Sequence, residues 1–199
     1  MRNISFGENK ASLIDRLLSC LRMRSIKPHL ESVDYFVDLG CGYHAVLLRE
    51  VLGKHSTARG LGADLSIDHT IDDPGLKLEC KDLNFENVSL DDGEADLVTS
   101  LAVIEHLERP EHLLTESFRL LKSGGKLILT APSPWARPVL NFLAYDLGVM
   151  DRLEVDDHKN YFGKGDLKKM LVSAGFKEDG VRIRSLLFGF NNLVVGIKS

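Results

Sequence analysis

The sequence has few of the residues that build disulfide scaffolds or structural zinc sites. Its 199 residues include three cysteines, Cys20, Cys41 and Cys80, and neither their odd number nor their spacing fits a disulfide framework or a zinc site. We therefore predict free thiols in a reducing compartment. The polar segment 1–10 also lacks the apolar stretch of a signal peptide. Both observations predict a cytoplasmic protein.

A strong excess of one charge and a long apolar run are also missing. The net charge of −4 is mild and argues against an electrostatic nucleic-acid interface. The longest apolar-rich stretch, 138–150, contains Asn141 and Asp146 and is too short to span a bilayer. We therefore expect neither a nucleic-acid partner nor a membrane span. The remaining composition, 44% hydrophobic and 27% charged, is that of an ordinary globular protein.

The pattern of apolar residues predicts strands that alternate with helices. The predicted strands lie at 35–39, 58–64, 76–80, 96–101 and 126–130, and the predicted helices at 12–23, 45–52, 110–121 and 166–174. Two further β runs, 180–187 and 192–198, are joined by a hairpin-sized connection, which makes at least one strand antiparallel. The alternating part predicts an α/β fold with a doubly wound, mostly parallel sheet.

A glycine turn, Gly40-Cys41-Gly42, directly follows the first strand. Glycine allows a tight turn and lets a ligand approach the backbone, and the helix that follows presents unpaired N–H groups to an anion. In open α/β sheets the ligand crevice lies beyond the carboxyl ends of the strands, where this turn falls. A lone G-x-G is a weak signal, because the two glycines are also compatible with a simple turn.

An acidic residue, Asp64, ends the second predicted strand and favours a nucleoside ligand, because its carboxylate can accept hydrogen bonds from ribose hydroxyls. The segment 40–45 also fits the dinucleotide pattern G-x-G-x-x-A, so a nicotinamide-dependent oxidoreductase stays open at this point. Two observations favour S-adenosylmethionine instead. Asp38 is a natural partner for a cofactor ammonium group, and an ordinary dinucleotide fold does not need the terminal hairpin.

Six segments resemble, in order, the motifs of the class I S-adenosylmethionine-dependent methyltransferases. They are Val37–Gly42, Ala63–Ser66, Asp82–Leu83, Asp96–Leu107, Leu121–Leu127 and His158–Phe176. The resemblance covers roughly residues 34–199. It implies a seven-stranded Rossmann-like sheet of order 3-2-1-4-5-7-6 with strand 7 antiparallel, S-adenosylmethionine as cofactor, and methyl transfer as activity.

The same resemblance implies which residues contact the cofactor. Gly40 and Gly42 would approach the methionine end, Asp64 the ribose, and Asp82 with Leu83 the adenine. The other predicted cofactor contacts are Asp38, Cys41, Leu65, Ser100 and Leu101. The sequence departs from the family at His44, where a third glycine is frequent, and an imidazole there could narrow the loop or cover the cofactor.

Two histidines are candidate general bases. The sulfonium donor is already activated, so the enzyme mainly supplies in-line positioning, and a base is needed only for a hydroxyl acceptor of high pKa. His106 and His158 can serve because imidazole titrates near neutrality. Each also has a structural interpretation, as a packed residue after strand 4 and as a hydrogen-bonded loop residue.

Glu105-His106 resembles a segment of the ubiquinone-biosynthesis O-methyltransferases, in which an acid three residues before the glutamate helps to hold a divalent metal. Ala102 occupies that position here. One carboxylate and one imidazole make a poor divalent-ion site. We therefore predict that no metal is required.

We expect one methyltransferase domain over 1–199, with an N-terminal helical segment (1–33) and a segment over the acceptor pocket (133–163). The apolar residues of 133–150 suit either a hydrophobic, lipid-linked acceptor or simple packing on the domain. The predicted acceptor is a small molecule or a glycan or lipid precursor, methylated on oxygen rather than nitrogen or carbon. A non-catalytic S-adenosylmethionine-binding module is the alternative.

Overall fold

The computed structural model describes residues 20, 23–24, 26–29, 33–54, 58–141 and 158–199. The strands within them are β1 (Tyr35–Leu39), β2 (Arg59–Asp64), β3 (Leu76–Cys80), β4 (Ala95–Leu101), β5 (Leu121–Pro132), β6 (Val181–Leu186) and β7 (Asn191–Ile197). The α-helices are α1 (Val46–Leu52), α2 (Pro110–Leu120), α3 (Ala136–Asn141) and α4 (Lys164–Ser173). Short 3₁₀ turns lie at Lys27–His29, Ile104–His106, Glu178–Gly180 and Leu187–Gly189.

The strands form one seven-stranded sheet of order β3-β2-β1-β4-β5-β7-β6. Strands β1 to β5 pair in parallel, whereas β7 runs antiparallel to both β5 and β6. This confirms the predicted fold class, strand order and direction of strand 7. The carboxyl ends of β1 to β4 therefore meet at one edge, and the strand order reverses between β1 and β4, which is where ligands bind in such sheets.

Apolar side chains cover both faces of the sheet, because neighbouring residues of a strand point to opposite sides. Val37 of β1 belongs to a cluster with residues of α2 and α4, among them Leu113, Leu114, Leu167 and Leu171. Phe36, its neighbour, packs in the opposite layer with residues of α1, among them Leu47, Leu48 and Val51. Both faces are thus buried, as expected for a doubly wound sheet.

The fifth strand differs most from its predicted bounds. The sequence pattern places it at 126–130, whereas β5 begins at Leu121 and ends at Pro132. Leu121 pairs with Ala95, and after a shift of register Lys126 pairs with Leu97. Gly124 has a φ of +80° within this irregularity. The glycine pair that was expected to stop α2 therefore lies inside β5, because the helix has already ended at Leu120.

Two predicted regions fall largely outside the described residues. They are most of the helix at 12–23 and residues 142–157 of the predicted covering segment, whereas α3 and residues 158–163 of that segment are described. Among the described residues, none of the helices combines the length and apolar character needed to cross a membrane.

Candidate active site

The glycine turn after β1 has a backbone that other residues adopt with difficulty. Gly40 and Gly42 have φ values of +88° and +72°, in the left-handed region that favours glycine. A Cβ at Gly40 would lie 2.1 Å from Cγ2 of Val103, so the turn packs directly on the segment that follows β4. The Gly40 and Cys41 N–H groups donate to the Ala63 carbonyl at 2.7 and 3.2 Å. Conformation and close packing both require Gly40.

Asp64 lies beside this turn at the end of β2. Its Oδ2 accepts a hydrogen bond from the Gly42 N–H at 2.8 Å, and its Oδ1 accepts one from the Leu65 N–H at 2.7 Å. The half-buried carboxylate therefore fixes the glycine turn from the neighbouring strand. Sequence reasoning assigned Asp64 to the ribose but missed this second role, which needs the parallel pairing of β1 with β2.

Asp38 is buried in β1, two residues before the turn. Thr99 of β4 donates its hydroxyl to Asp38 Oδ1 at 2.5 Å. Burial raises the pKa of Asp38 to about 7, the Thr99 hydrogen bond opposes this rise, and the nearby Asp64 charge adds to it. A cation held beside Asp38 would favour its charged form, so the site has the chemistry to receive an ammonium group.

Cys41 and His44 complete the turn in different ways. Cys41 is buried, and burial raises the pKa of its thiol, so it contributes a small neutral side chain. The Nδ1 of His44 lies 3.1 Å from Asp68 Oδ2, and the imidazole is about half exposed. The Asp68 N–H also donates to the Tyr43 carbonyl at 2.9 Å. His44 thus ties the glycine turn to the loop after β2; that it covers the cofactor stays a prediction.

The predicted adenine side is organised by a residue that sequence reasoning missed, Asn84. Asp82 Oδ1 accepts hydrogen bonds from the Asn84 N–H at 2.9 Å and from Asn84 Nδ2 at 2.8 Å. Asn84 Oδ1 in turn accepts from the N–H groups of Glu108 and Arg109 at 2.7 and 3.1 Å. The loop after β3, with its buried Leu83, is thereby fastened to the segment before α2. The spacing of Asp82 and Asn84, which is typical of an Asx turn, is the sequence signal that could have identified this residue.

Ser100 and Leu101 end β4, next to the segment that packs on Gly40. Ser100 is fully buried, and its Oγ has no hydrogen-bond partner among the described residues. Ala102 follows with a φ of +58°, and its N–H donates to Thr130 Oγ1 at 3.0 Å. The chain therefore turns sharply at the end of β4, and this turn leads to Glu105 and His106.

The two candidate bases lie beside each other, although they are far apart in the sequence. The imidazole rings of His106 and His158 are 4.9 Å apart between centroids, at an angle of 61°. Glu105 is buried, and one donor atom from each of Glu105, His106 and His158 lies within 4.8 Å of the others. His158 Nδ1 is also 3.3 Å from the Tyr161 hydroxyl. We call Glu105, His106 and His158 the histidine–glutamate cluster.

Hydrogen bonds to backbone carbonyls hold the two segments of this cluster together. The N–H groups of Lys159 and Asn160 donate to the Glu105 carbonyl at 2.9 and 3.1 Å. Asn160 Nδ2 donates to the Leu107 carbonyl at 2.8 Å. The segment that carries His158 is thus fixed against the turn that carries His106, a contact that no local sequence pattern reveals.

A family model described as a methyltransferase domain matches residues 7–179. The chain belongs to this methyltransferase family. Its fold is that of the class I S-adenosylmethionine-dependent methyltransferases, and family and fold together imply S-adenosylmethionine as the cofactor. The dinucleotide interpretation of residues 40–45 is thereby set aside.

Individual relatives of the chain carry different names. It is 32% identical over 124 residues to a sarcosine/dimethylglycine N-methyltransferase of Halorhodospira halochloris. The aligned region covers 56% of this chain and 42% of the relative. It is 27% identical over 124 residues to a ubiquinone biosynthesis O-methyltransferase of Coxiella burnetii. Here the aligned region covers 57% of this chain and 50% of the relative. The chain spans about half the length of the curated relatives it matches.

Solved structures of methyltransferases share the fold of the chain. A SAM-dependent methyltransferase from Archaeoglobus fulgidus superimposes with a TM-score of 0.66 at 18% identity, over 92% of this chain and 94% of that one. A possible histamine N-methyltransferase from Thermotoga maritima gives a TM-score of 0.65 at 18% identity, over 92% and 90%. At this level of identity, these structures show the fold of the chain alone.

Proposed function

We propose that this methyltransferase transfers the methyl group of S-adenosylmethionine to an oxygen of a small molecule or a glycan or lipid precursor. The observation that carries the choice of oxygen is the pairing of His106 with His158. A hydroxyl acceptor must lose its proton during the transfer, whereas a neutral amine can attack without a base. Two adjacent imidazoles suit an acceptor that needs proton removal.

The donor side of this proposal uses the glycine turn after β1 and the neighbouring end of β2. Gly40 and Gly42 leave the backbone open to the methionine end, Asp38 pairs with its ammonium group, and Asp64 accepts hydrogen bonds from the ribose. Cys41, Leu65, Asp82, Leu83, Ser100 and Leu101 complete the proposed pocket. Two observations support these roles: the carboxyl of Asp38 is buried two residues before the glycine turn, and the half-buried carboxylate of Asp64 lies beside that turn at the end of β2.

The acceptor side uses the histidine–glutamate cluster. Bound S-adenosylmethionine supplies a methyl group on a positively charged sulfur, which leaves as a neutral thioether. His106 or His158 accepts the proton of the acceptor hydroxyl as the new oxygen–carbon bond forms. The nearby Glu105 carboxylate stabilises the imidazolium by charge attraction. No metal ion takes part in this scheme.

The test is turnover on matched acceptors. The protein is incubated with S-adenosylmethionine and panels of alcohols, phenols and amines, and the demethylated product is measured. We expect oxygen acceptors to be methylated and either His106→Ala or His158→Ala to lower kcat by roughly 10²–10⁴-fold. His69→Asn, which changes an exposed histidine in the loop after β2, is the control.

Three outcomes would contradict the proposal. Turnover on amines alone would overturn the assignment to oxygen, and turnover that both histidine variants retain would remove the proposed base. Cofactor affinity without turnover on any acceptor would favour the non-catalytic binding module.

The cytoplasmic location and the single-domain organisation over 1–199 are part of the same proposal. Cell fractionation tests the location, and limited proteolysis tests the domain organisation.

A further inference from the structure

We propose that Thr99 is a positioning residue for the cofactor. Its hydroxyl holds the Asp38 carboxylate in the orientation and charge state that pair with the cofactor ammonium, so that cofactor binding releases a proton from Asp38 at mildly acidic pH. The inference rests on the donor side of the proposed function, in which Asp38 pairs with the ammonium group of S-adenosylmethionine.

Thr99 and Asp38 face each other across two central strands of the sheet. They are register partners in the parallel pairing of β1 with β4. The Thr99 hydroxyl donates to Asp38 Oδ1 at 2.5 Å, a length that is typical of hydrogen bonds to an ionised oxygen, which measure about 2.5–2.7 Å. Thr99 has no exposed surface, so any influence it has on the cofactor passes through Asp38.

The backbone fixes this hydrogen bond in advance. Both residues lie inside strands whose neighbours on each side are paired, and the β-branched side chain of threonine has few rotamers. The second oxygen of Asp38, Oδ2, is left for another donor such as an ammonium group. A carboxylate that is already oriented loses little affinity to ordering when its partner binds.

The other groups that act on Asp38 oppose its charge. Burial is the largest effect and raises its pKa to about 7, and the negative charge of Asp64 at the end of β2 raises it further. Cys41, in the glycine turn, adds no charge because burial raises the pKa of its thiol. Among the described groups that act on Asp38, Thr99 is the one that favours the carboxylate.

The helix and turn that cover this face of the sheet place their charges elsewhere. Asp38 shares a face with Phe36, since alternate residues of a strand point to the same side, and Phe36 packs with α1 and with Ile26. The charged residues of α1 and of the segment around Ile26 are exposed, namely Arg24, Lys27, Arg49 and Glu50. The ammonium of the cofactor would therefore supply a positive charge that the described surroundings of Asp38 do not.

These conditions couple cofactor binding to a proton. Below pH 7 most Asp38 side chains in the free protein carry a proton, and a neutral carboxyl cannot form an ion pair with an ammonium group. The O–H bond of the carboxyl therefore breaks as the cofactor binds, and the proton passes to the solvent. Without the Thr99 hydroxyl the pKa of Asp38 is higher, so weak binding extends to higher pH.

The wild type is tested with two ligands that differ at the amino-acid end. S-adenosylhomocysteine carries the ammonium group, whereas 5′-methylthioadenosine keeps the adenosine and the sulfur but has no amino acid. With a pKa of about 7, we expect S-adenosylhomocysteine to bind about tenfold more weakly at pH 6 than at pH 8, and 5′-methylthioadenosine to bind equally. Titration of Asp64 or the adenine pocket would affect both ligands alike.

Calorimetry in buffers of different ionisation enthalpy measures the proton itself. S-adenosylhomocysteine should release close to one proton per chain at pH 6 and very little at pH 8, and 5′-methylthioadenosine should release none at either pH. Wild-type binding of S-adenosylhomocysteine without pH dependence or proton release overturns the inference and the pairing of Asp38 with the ammonium. Failure to bind S-adenosylhomocysteine at any pH overturns the donor side of the proposed function itself.

Thr99 is tested by removing only its hydroxyl. Thr99→Val keeps the shape of the side chain and should move the midpoint of the pH profile up by about one unit. Binding of S-adenosylhomocysteine should then be about fivefold weaker at pH 7 and recover to within about twofold of the wild type at pH 8.5. Thr99→Ser keeps the hydroxyl and should keep the wild-type profile. Thr115→Val, which removes an exposed hydroxyl from α2, is the control.

The two ligands also separate a positioning role from a merely structural one. A folded Thr99→Val protein, as judged by circular dichroism, should bind 5′-methylthioadenosine as tightly as the wild type. Equal loss of affinity for both ligands at every pH overturns the inference, as does a wild-type affinity and pH profile for S-adenosylhomocysteine. Either result leaves the donor pocket in place. If Thr99→Val does not fold, Thr99→Ala takes its place.

Discussion

At the scale of single residues, the buried carboxyl of Asp38 makes the stability of the folded protein depend on pH. Its pKa is raised from 3.8 to about 7, chiefly by burial, so the folded protein holds a proton that the unfolded chain releases near pH 4. A group of this kind contributes stability that is complete below the unfolded pKa and is lost as pH rises through the folded pKa. The window for Asp38 therefore runs from about pH 4 to pH 7.

We predict that Asp38→Asn removes this pH dependence. Relative to wild type, the free energy of unfolding of the variant should rise by up to about 4 kcal/mol between pH 4 and pH 8, since one pKa unit corresponds to about 1.4 kcal/mol. Urea unfolding at several pH values measures the difference. Asp72→Asn, an exposed acid in the loop after β2, is the control. A wild-type minus Asp38→Asn difference that is flat across this range would contradict the prediction.

A second residue-scale prediction concerns Asp64. Asp64→Ala should weaken binding of S-adenosylhomocysteine by about 1–3 kcal/mol, roughly 5–150-fold, because the ribose hydroxyls lose their charged acceptor. The Gly42 and Leu65 N–H groups lose theirs as well. Calorimetry measures the affinity. Asp64→Asn keeps one acceptor oxygen, so its affinity should lie between those of the wild type and Asp64→Ala. Unchanged affinity in Asp64→Ala would remove Asp64 from the site.

At the scale of elements, most strands could be predicted because short runs rich in apolar residues, bounded by turns, mark where strands of a buried sheet lie. The predicted strand 35–39 coincides with β1, and 76–80 coincides with β3. The start of β5 was not predictable, because Leu121 pairs with Ala95 before the register shifts and the regular pairing resumes only at Lys126. Asp64, which was predicted to end the second strand, is indeed the last residue of β2.

Contacts between distant segments could not be predicted in this way. The link of Asn84 to the Glu108 N–H and the approach of His158 to His106 both join loops that follow different strands. Each contact depends on how these loops pack against one another at the edge of the sheet. No periodic pattern in a single sequence reveals that packing. The cluster is therefore a finding of the structure.

The glycine turn gives the prediction at this scale. Gly40→Ala should lower the free energy of unfolding by about 2–4 kcal/mol, since it combines a strained positive φ with a clash against Val103. Chemical denaturation measures the loss. Gly165→Ala is the matched control, because a Cβ there meets nothing within 4 Å and alanine favours the helix α4. Equal stability of the two variants would show that the turn tolerates a side chain.

At the scale of the whole molecule, the proposed cofactor pocket is assembled from the ends of β1, β2, β3 and β4. These strands are paired with one another in the middle and at one side of a single sheet. A ligand that contacts all four ends binds only when the sheet is formed. Binding should therefore stabilise the folded state as a unit and not just one loop.

We predict that S-adenosylhomocysteine, but not NAD, raises the melting temperature. At 100 times its Kd a ligand adds about 2.7 kcal/mol, and for a protein of this size each kcal/mol shifts the melting temperature by about 2–4 °C, so the expected rise is roughly 5–11 °C. Asp64→Ala should reduce the rise at the same ligand concentration, since its affinity is lower. A rise with NAD that equals the rise with S-adenosylhomocysteine would mean that the pocket recognises only the adenosine shared by both ligands, and that Asp38 does not select the amino-acid end.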